Sequence, residues 1–483
     1  MPKTTRGAMP MVEWRSLAAS HDTLLRAAYE AFEAGDLPEA TRQLDIAPAG
    51  GGDGDVLGRG LLRGLILRRS ARQRDAIEMF TDLAEAHGQT AELLVARSLS
   101  HRDLGQRSEA RDLLTEAHMI DPALASAKYY LGVVEQELGN MEAAAAHFAT
   151  YCNSAEGREH ALGHSLYGTV LRALGRFEES VQAIQRAIEL DPDDIPTRNA
   201  LVITHYHSGD NVAAVAAGRT ALEMKDALAS ARQKHLALDI QLDRREAPFE
   251  ASERNRNIIA FSLWGDDPVY THGAIINAHL APHVYPSWRC RFYCDDSVPT
   301  TIIDELRRLG AEIHLIRDTR LLKMKALWRF LVSDDPNADR FLCRDADSRL
   351  NVQEAVAVDA WIKSGKPFHV MRDHPYHMEV MLAGMWGGVT RVLPSVRETS
   401  KMVAGFSPNR WNDQEFLRDV VWPLIRDDAY VHDSVYGFRG GVDFPDTCRL
   451  VGKAHVGGAV KSMPPWPNPL WFADEKAKTD KKS

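Results

Sequence analysis

The sequence predicts two unlike halves: a stack of helix pairs, then an α/β domain with a mainly parallel sheet. Two observations carry this. A glycine, a small residue five later and a bulky apolar residue four after that recur along the first half, with anchors 36, 34, 34, 36 and 34 residues apart. Beyond about residue 250, short apolar runs alternate with helical stretches, as expected of strands joined by crossover helices.

The repeating triplets are Gly35/Ala40/Leu44, Gly105/Ala110/Leu114, Gly139/Ala144/Phe148 and Gly175/Ser180/Ile184. Ala71/Ala76/Phe80 replaces the turn glycine by alanine, and Gly209/Ala214/Gly218 fits less well. A glycine permits the tight turn within each helix pair. The small residue lets the two helices approach, and the large one fills the space between pairs. Pro122 and Pro192 follow the second helix of two units, where proline stops a helix.

With this period and these positions, the region resembles tetratricopeptide repeats over about residues 20–225, with a capping helix expected over 226–244. The α-helical solenoid is placed at residues 20–245, behind a flexible N-terminus at 1–19. The resemblance implies a concave groove that binds a protein or peptide partner. The alternative is a stack that only supports the second domain.

The formal charge of −9 gives no electrostatic case for a nucleic-acid partner. No apolar run reaches 18 residues, so no membrane span is expected, and the start carries no run of signal-peptide length. Five sparse cysteines read as reduced thiols, which points to the cytoplasm.

After a linker at 244–248, the segments 257–263 and 289–294 read as buried strands and 300–309 as an amphipathic helix. Residues 312–316 are expected to form a strand, 322–332 a helix, and 340–343 another strand. In such sheets ligands bind beyond the carboxyl ends of the strands. The run Arg340-Phe341-Leu342-Cys343 leads directly into Arg344-Asp345-Ala346-Asp347. Two carboxylates at a strand end suit Mn²⁺ or Mg²⁺, ions that bridge protein oxygens to substrate phosphates.

This domain, about residues 256–465, resembles the GT-A class of nucleotide-diphospho-sugar transferases. The nearest comparison is the family-8 glycosyltransferases, which include glycogenin and bacterial lipopolysaccharide galactosyltransferases. The Asp-x-Asp carries the resemblance, together with Lys325 and Arg329 before it, Asp413-Gln414 after it, and His455-Val-Gly-Gly458-Ala-Val-Lys461 near the end. The resemblance implies a metal site of Asp345, Asp347 and His455, with His432 the alternative third ligand. It also implies donor contacts from Lys325, Arg329, Gly458 and Lys461, and from Ser262 in the first strand. Arg344 stands where the family usually has an apolar residue, and it is placed with the donor-facing residues. The family's proline-tryptophan after the lysine is absent, since Ser462-Met463-Pro464 follows Lys461.

Two further segments join the candidate site. Arg372-Asp373-His374 and Gly384-Met385-Trp386 are expected to form a donor-sugar and acceptor pocket in which Trp386 stacks on a sugar face. Asp413, Gln414 and Asp373 are the candidate catalytic residues at the reacting sugar. The expected reaction is metal-dependent hexosyl transfer, with retention implied by the resemblance, from a UDP-sugar to a protein, polysaccharide or lipid-linked acceptor. The competing readings are a repeat scaffold with a non-catalytic transferase-like domain, and an Mg²⁺-dependent phosphohydrolase or nucleotidyltransferase. The charged end, 472–483, reads as a disordered tail.

Overall fold

The computed structural model describes residues 17, 22–46, 53–236, 242–243, 249–402, 412–452 and 454–461. The expected flexible N-terminus apart from Leu17, the linker at 244–248, residues 462–466 and the tail at 472–483 lie outside the described residues. The chain forms two compact units, 1–214 and 215–483.

In the first unit the repeat period becomes helix pairs: Thr23–Glu33 with Leu37–Ile46, Asp53–Arg69 with Gln73–His87, and Ala91–Asp103 with Arg107–Ile120. Ala125–Leu138 with Met141–Cys152 and Ala161–Ala173 with Phe177–Leu190 follow. Each predicted turn residue, Gly35, Ala71, Gly105, Gly139, Gly175 and Gly209, has φ between 60° and 85°. That left-handed conformation explains why glycine dominates the position, and Ala71 at 60° is the strained exception. The small and bulky members of the triplets are buried, Ala110, Leu114, Ala144, Phe148, Ser180 and Ile184 all at 0% exposure. A side chain at Gly132 would lie 2.9 Å from the Phe148 ring, so the small residue in the first helix receives the large one from the second.

The boundary between the units falls inside the helix Asn211–Leu236. The sequence carried the solenoid to residue 245; the packing instead assigns residues from Val215 onward to the second unit. Lys225 is 0% exposed and its amine donates to the Met378 carbonyl at 2.5 Å and to Glu379 at 2.6 Å. Asp226 accepts from Trp422 Nε1 at 2.7 Å and from Arg426 at 2.9 Å. Leu222 and Ala229 enter the same core as the sheet residues Ile258 and Phe341.

Among the described residues, the second unit holds a mixed seven-stranded sheet, in order β3-β2-β1-β4-β6-β5-β7. The strands are β1 (Asn257–Leu263), β2 (Arg289–Cys294), β3 (Glu312–Leu315), β4 (Arg340–Cys343), β5 (Phe368–Arg372), β6 (Trp386–Val389) and β7 (Ala429–Asp433). β1 pairs parallel with both β2 and β4, in register Ile259↔Cys290 and Ile259↔Leu342. β6 runs antiparallel between β4 and β5, which makes the sheet mixed. Alternate residues feed opposite faces: Ile258 and Ala260 join one core, Ile259 and Phe261 the other. Both faces are covered, which is why the strands read as continuous apolar runs rather than alternating ones.

One local expectation changes. Residues 325–334 form a 3-10 helix, where an α-helix was expected. At three residues per turn, positions i and i+3 align and i+4 is rotated about a third of a turn away. Lys325 and Arg329 are set apart by that turn and take different partners, Asp295 for the lysine and Asp345 with Asp413 for the arginine.

Candidate active site

Chain order reverses between β1 and β4, so a crevice opens beyond their carboxyl ends. A cavity of about 660 Å³ occupies this place. Its wall includes Ser262 near the end of β1, Asp345 and Asp347 after β4, Arg329 from the 3-10 helix, and Asp413 with Gln414.

The turn carrying the two aspartates is held from behind. Asn277, buried within the apolar helix Pro268–Val284, donates to the Ser348 carbonyl at 2.9 Å and accepts from Leu350 N–H at 3.1 Å. A side chain on Gly273 would come within 2.1 Å of the Ala346 carbonyl, so that helix packs directly on the turn. Asn277 was missed from sequence. Its signal is a lone polar residue inside an apolar helical run, which composition alone does not separate from a satisfied core amide.

Arg329, 5% exposed, bridges two carboxylates. It pairs with Asp345 Oδ1, and its other terminal nitrogen donates to Asp413 Oδ2 at 2.8 Å. The second oxygen of Asp345 lies over Gly384, where an added Cβ would be 2.0 Å from it. Gly384 thus admits the carboxylate by having no side chain. Burial first, and then the adjacent Asp345 charge, hold the Asp347 carboxyl above the usual carboxylate range. Burial also raises Asp413, opposed by Arg329.

Gln414 is fixed by the loop opposite: its Oε1 accepts from Ala383 N–H at 2.6 Å and its Nε2 donates to the Met381 carbonyl at 3.2 Å. Ser262 Oγ accepts from Arg329 N–H at 3.0 Å, setting the middle of the 3-10 helix against β1. Lys325 lines the cavity and pairs with Asp295 at 2.6 Å. Val460 N–H donates to the Asp347 carbonyl at 2.8 Å, so the C-terminal segment crosses the turn. Lys461 lies exposed beside it and draws the Asp347 carboxyl downward.

Several expected contacts are corrected. Arg344 is fully buried and pairs with Glu354 at 2.9 Å, both side chains at 0% exposure. A guanidinium sealed against its own carboxylate does not reach a donor. Trp386 is also at 0% exposure, edge-on to Phe330 and Phe341, so it fills the core and stacks on no sugar. Arg372 is buried against Asp433 at 3.0 Å. The Asp373 carboxylate is taken by Gln353 Nε2 at 2.9 Å and by Val456 N–H at 3.1 and 3.2 Å. It holds the C-terminal segment rather than facing the reacting sugar. Of the expected pocket of Arg372, Asp373, His374, Gly384 and Trp386, only Gly384 lines the cavity.

His455 stands against His374 and His377, with ring centres at 4.4 and 4.8 Å. Its neighbours Val456, Gly457 and Ala459 line the cavity. Gly458 closes the turn through its N–H to the His455 carbonyl at 3.1 Å. His432, the alternative ligand, is buried elsewhere and shares a 2.8 Å hydrogen bond with His369.

Comparison with known proteins speaks to the first unit. The tetratricopeptide repeat family model matches residues 161–194, the pair Ala161–Ala173 and Phe177–Leu190. A Hordeum vulgare protein described as a probable UDP-N-acetylglucosamine–peptide N-acetylglucosaminyltransferase, SPINDLY, is 26% identical over 137 residues, within the repeat region. That match covers 27% of this chain and 14% of the relative. Among solved structures, MamA is 21% identical with a TM-score of 0.33, covering 35% of this chain and 96% of its own. YrrB, titled a TPR protein with an unusual peptide-binding site, is 15% identical with a TM-score of 0.32, covering 34% of this chain and 84% of its own. The N-terminal region is a solenoid of tetratricopeptide repeats. Among the described residues, no helix is long and apolar enough to cross a membrane.

Proposed function

We propose that this repeat-bearing chain is a glycosyltransferase whose second unit is of the GT-A type, moving a sugar from a UDP-sugar to an acceptor presented by the repeats. The observation that carries this is the convergence of Asp345 and Asp347 beyond β4, at the reversal of strand order, on a cavity large enough for a nucleotide sugar.

The residues present fit a divalent cation. Asp345 keeps 39% of its side chain exposed to the cavity, and Asp347 is held protonation-prone by burial and by that neighbouring charge. Such a pair is relieved by a hard cation, and an all-oxygen donor set suits Mn²⁺ or Mg²⁺. When bound, the ion offsets the charge that develops on the departing diphosphate.

The protein's own groups divide the remaining work. Lys323 and Lys325 line the cavity, and Lys461 stands near Asp347, which supplies positive charge for phosphate oxygens. Arg329 is committed to Asp345 and Asp413, so it orients carboxylates rather than grips phosphate. Asp413 and Gln414, locked by Arg329 and by the Met381–Ala383 backbone, present fixed polar atoms to the sugar. The resemblance to family-8 enzymes favours retention at the anomeric carbon. The repeats favour a protein acceptor; polysaccharide and lipid-linked acceptors are the other outcomes to score. The free cysteines fit a reducing compartment such as the cytoplasm.

The test is to incubate the full chain with a panel of nucleotide sugars and Mn²⁺, reading UDP release, transfer and the melting temperature. A Tm rise with UDP and Mn²⁺, lost in Asp345→Asn, supports the reading. Absence of binding would leave the repeats as a scaffold, and release of free phosphate would indicate a phosphohydrolase.

A further inference from the structure

Beside the cavity, Asp373, His377 and His455 offer ligand atoms that all lie within 4.8 Å of one another. We propose that these three side chains form a transition-metal site of their own, suited to Zn²⁺, distinct from the Asp345/Asp347 pair. Two imidazoles and one carboxylate favour zinc-like ions over Mg²⁺ or Mn²⁺.

Hydrogen bonding sets up the donor atoms. His455 Nδ1 lies 3.1 Å from the Val456 carbonyl, which only accepts, so Nδ1 carries the proton and the Nε2 lone pair is free. Histidine ligands to metals characteristically donate their other N–H in this way. His377 Nδ1 accepts from the Asp373 backbone N–H at 3.1 Å, yet the same nitrogen faces Asp373 Oδ1 at 3.3 Å. The Asp373 N–H engages the one lone pair of that nitrogen beside the carboxylate, and a cation entering there would take the lone pair from the N–H and bond the carboxylate oxygen as well. The separation of nitrogen and oxygen is close to the roughly 3.4 Å edge of a tetrahedron with zinc bonds of about 2.1 Å.

The carboxylate is oriented by Gln353 Nε2 at 2.9 Å and Val456 N–H at 3.1 Å, the outer support that metal ligands have. His377 lines the cavity, so the three side chains stand at its wall. Asp373 and His377 belong to the loop after β5, and His455 to the segment that carries Lys461. The ion would staple those two segments together across the mouth of the site.

This site does not rest on the transferase reading, and its test uses zinc alone. Chelator-stripped full-length protein is titrated with Zn²⁺ against a chromophoric competitor, and its melting temperature is followed. Tight binding is expected in the wild type and in the Asp345→Asn/Asp347→Asn double variant, with a higher Tm on loading. His377→Ala and His455→Ala should each weaken binding by at least about tenfold and lose the Tm shift, with unloaded melting confirming that both fold. Two results overturn the site: no zinc binding by the wild type, or binding that survives both histidine variants but disappears in the double aspartate variant.

Discussion

Arg329 reaches across 84 residues of sequence to hold Asp413 at 2.8 Å while its other terminal nitrogen holds Asp345. One buried cation thus fixes two carboxylates that line the cavity from distant parts of the chain. Replacing it by Met would leave both without their guanidinium, and Asp413 is 7% exposed. Arg329→Met is expected to destabilise the second unit by about 3 kcal/mol or more, read as a lower midpoint in denaturant. An unchanged midpoint would mean the bridge is not formed.

Gly384→Ala introduces a methyl that would sit 2.0 Å from Asp345 Oδ2. The carboxylate must turn away, because the Gly384 side of it is closed. Mn²⁺ affinity is expected to fall by at least about tenfold with the fold retained. Calorimetric titration checks this, and wild-type affinity would sink the placement of Asp345 at the cation.

The Asp347 carboxyl is raised by burial and by Asp345. A folded-state pKa above the unfolded value contributes stability that is full below the unfolded value and lost as pH rises through the folded one. The metal-free wild type should therefore lose stability relative to Asp347→Asn as pH climbs from below 3.8 through the raised carboxylate value. Mn²⁺ binding runs the opposite way, strengthening over the same rise as the carboxylate ionises. Parallel melting curves for the two proteins across that range would contradict this.

Ala71 holds φ of 60° where the other repeats place glycine. Ala71→Gly should stabilise the first unit by about 1 kcal/mol by removing the left-handed strain. Thermal melting would show a rise of a few degrees.

Truncation distinguishes the two units. A fragment beginning at 215 keeps Lys225 under the Met378–Glu379 loop and Asp226 against Trp422 and Arg426. A fragment beginning at 241 exposes that core face. The first should stay soluble and bind UDP with Mn²⁺, losing transfer to a macromolecular acceptor more than donor hydrolysis; the second should aggregate. Equal behaviour of the two would place the boundary elsewhere.

The repeat was readable because each unit makes local contacts. A turn, a small residue and a bulky residue recur at fixed spacing, and their burial follows from nearest-neighbour packing alone. The strand ending at Asp345 was readable for a similar reason, since a sheet covered on both faces demands an unbroken apolar run. Arg344 and Trp386 were misplaced because sequence shows neither the side to which a strand-end residue points nor its partner. Glu354 and the Phe330/Phe341 pair supplied those partners.

The sequence by itself determined the helix-pair period, the change to an α/β unit, and the pair of aspartates after a buried strand. Tertiary structure alone decided that 325–334 winds as a 3-10 helix, sending Lys325 to Asp295 and Arg329 to Asp345 and Asp413. It also decided that residues from 215 onward belong with the sheet, and that Asp373, His377 and His455 meet. The reason is common to all three. Each depends on partners brought together from distant parts of the chain, and charge pairing or burial at such contacts outweighs the local preference that a sequence pattern reports.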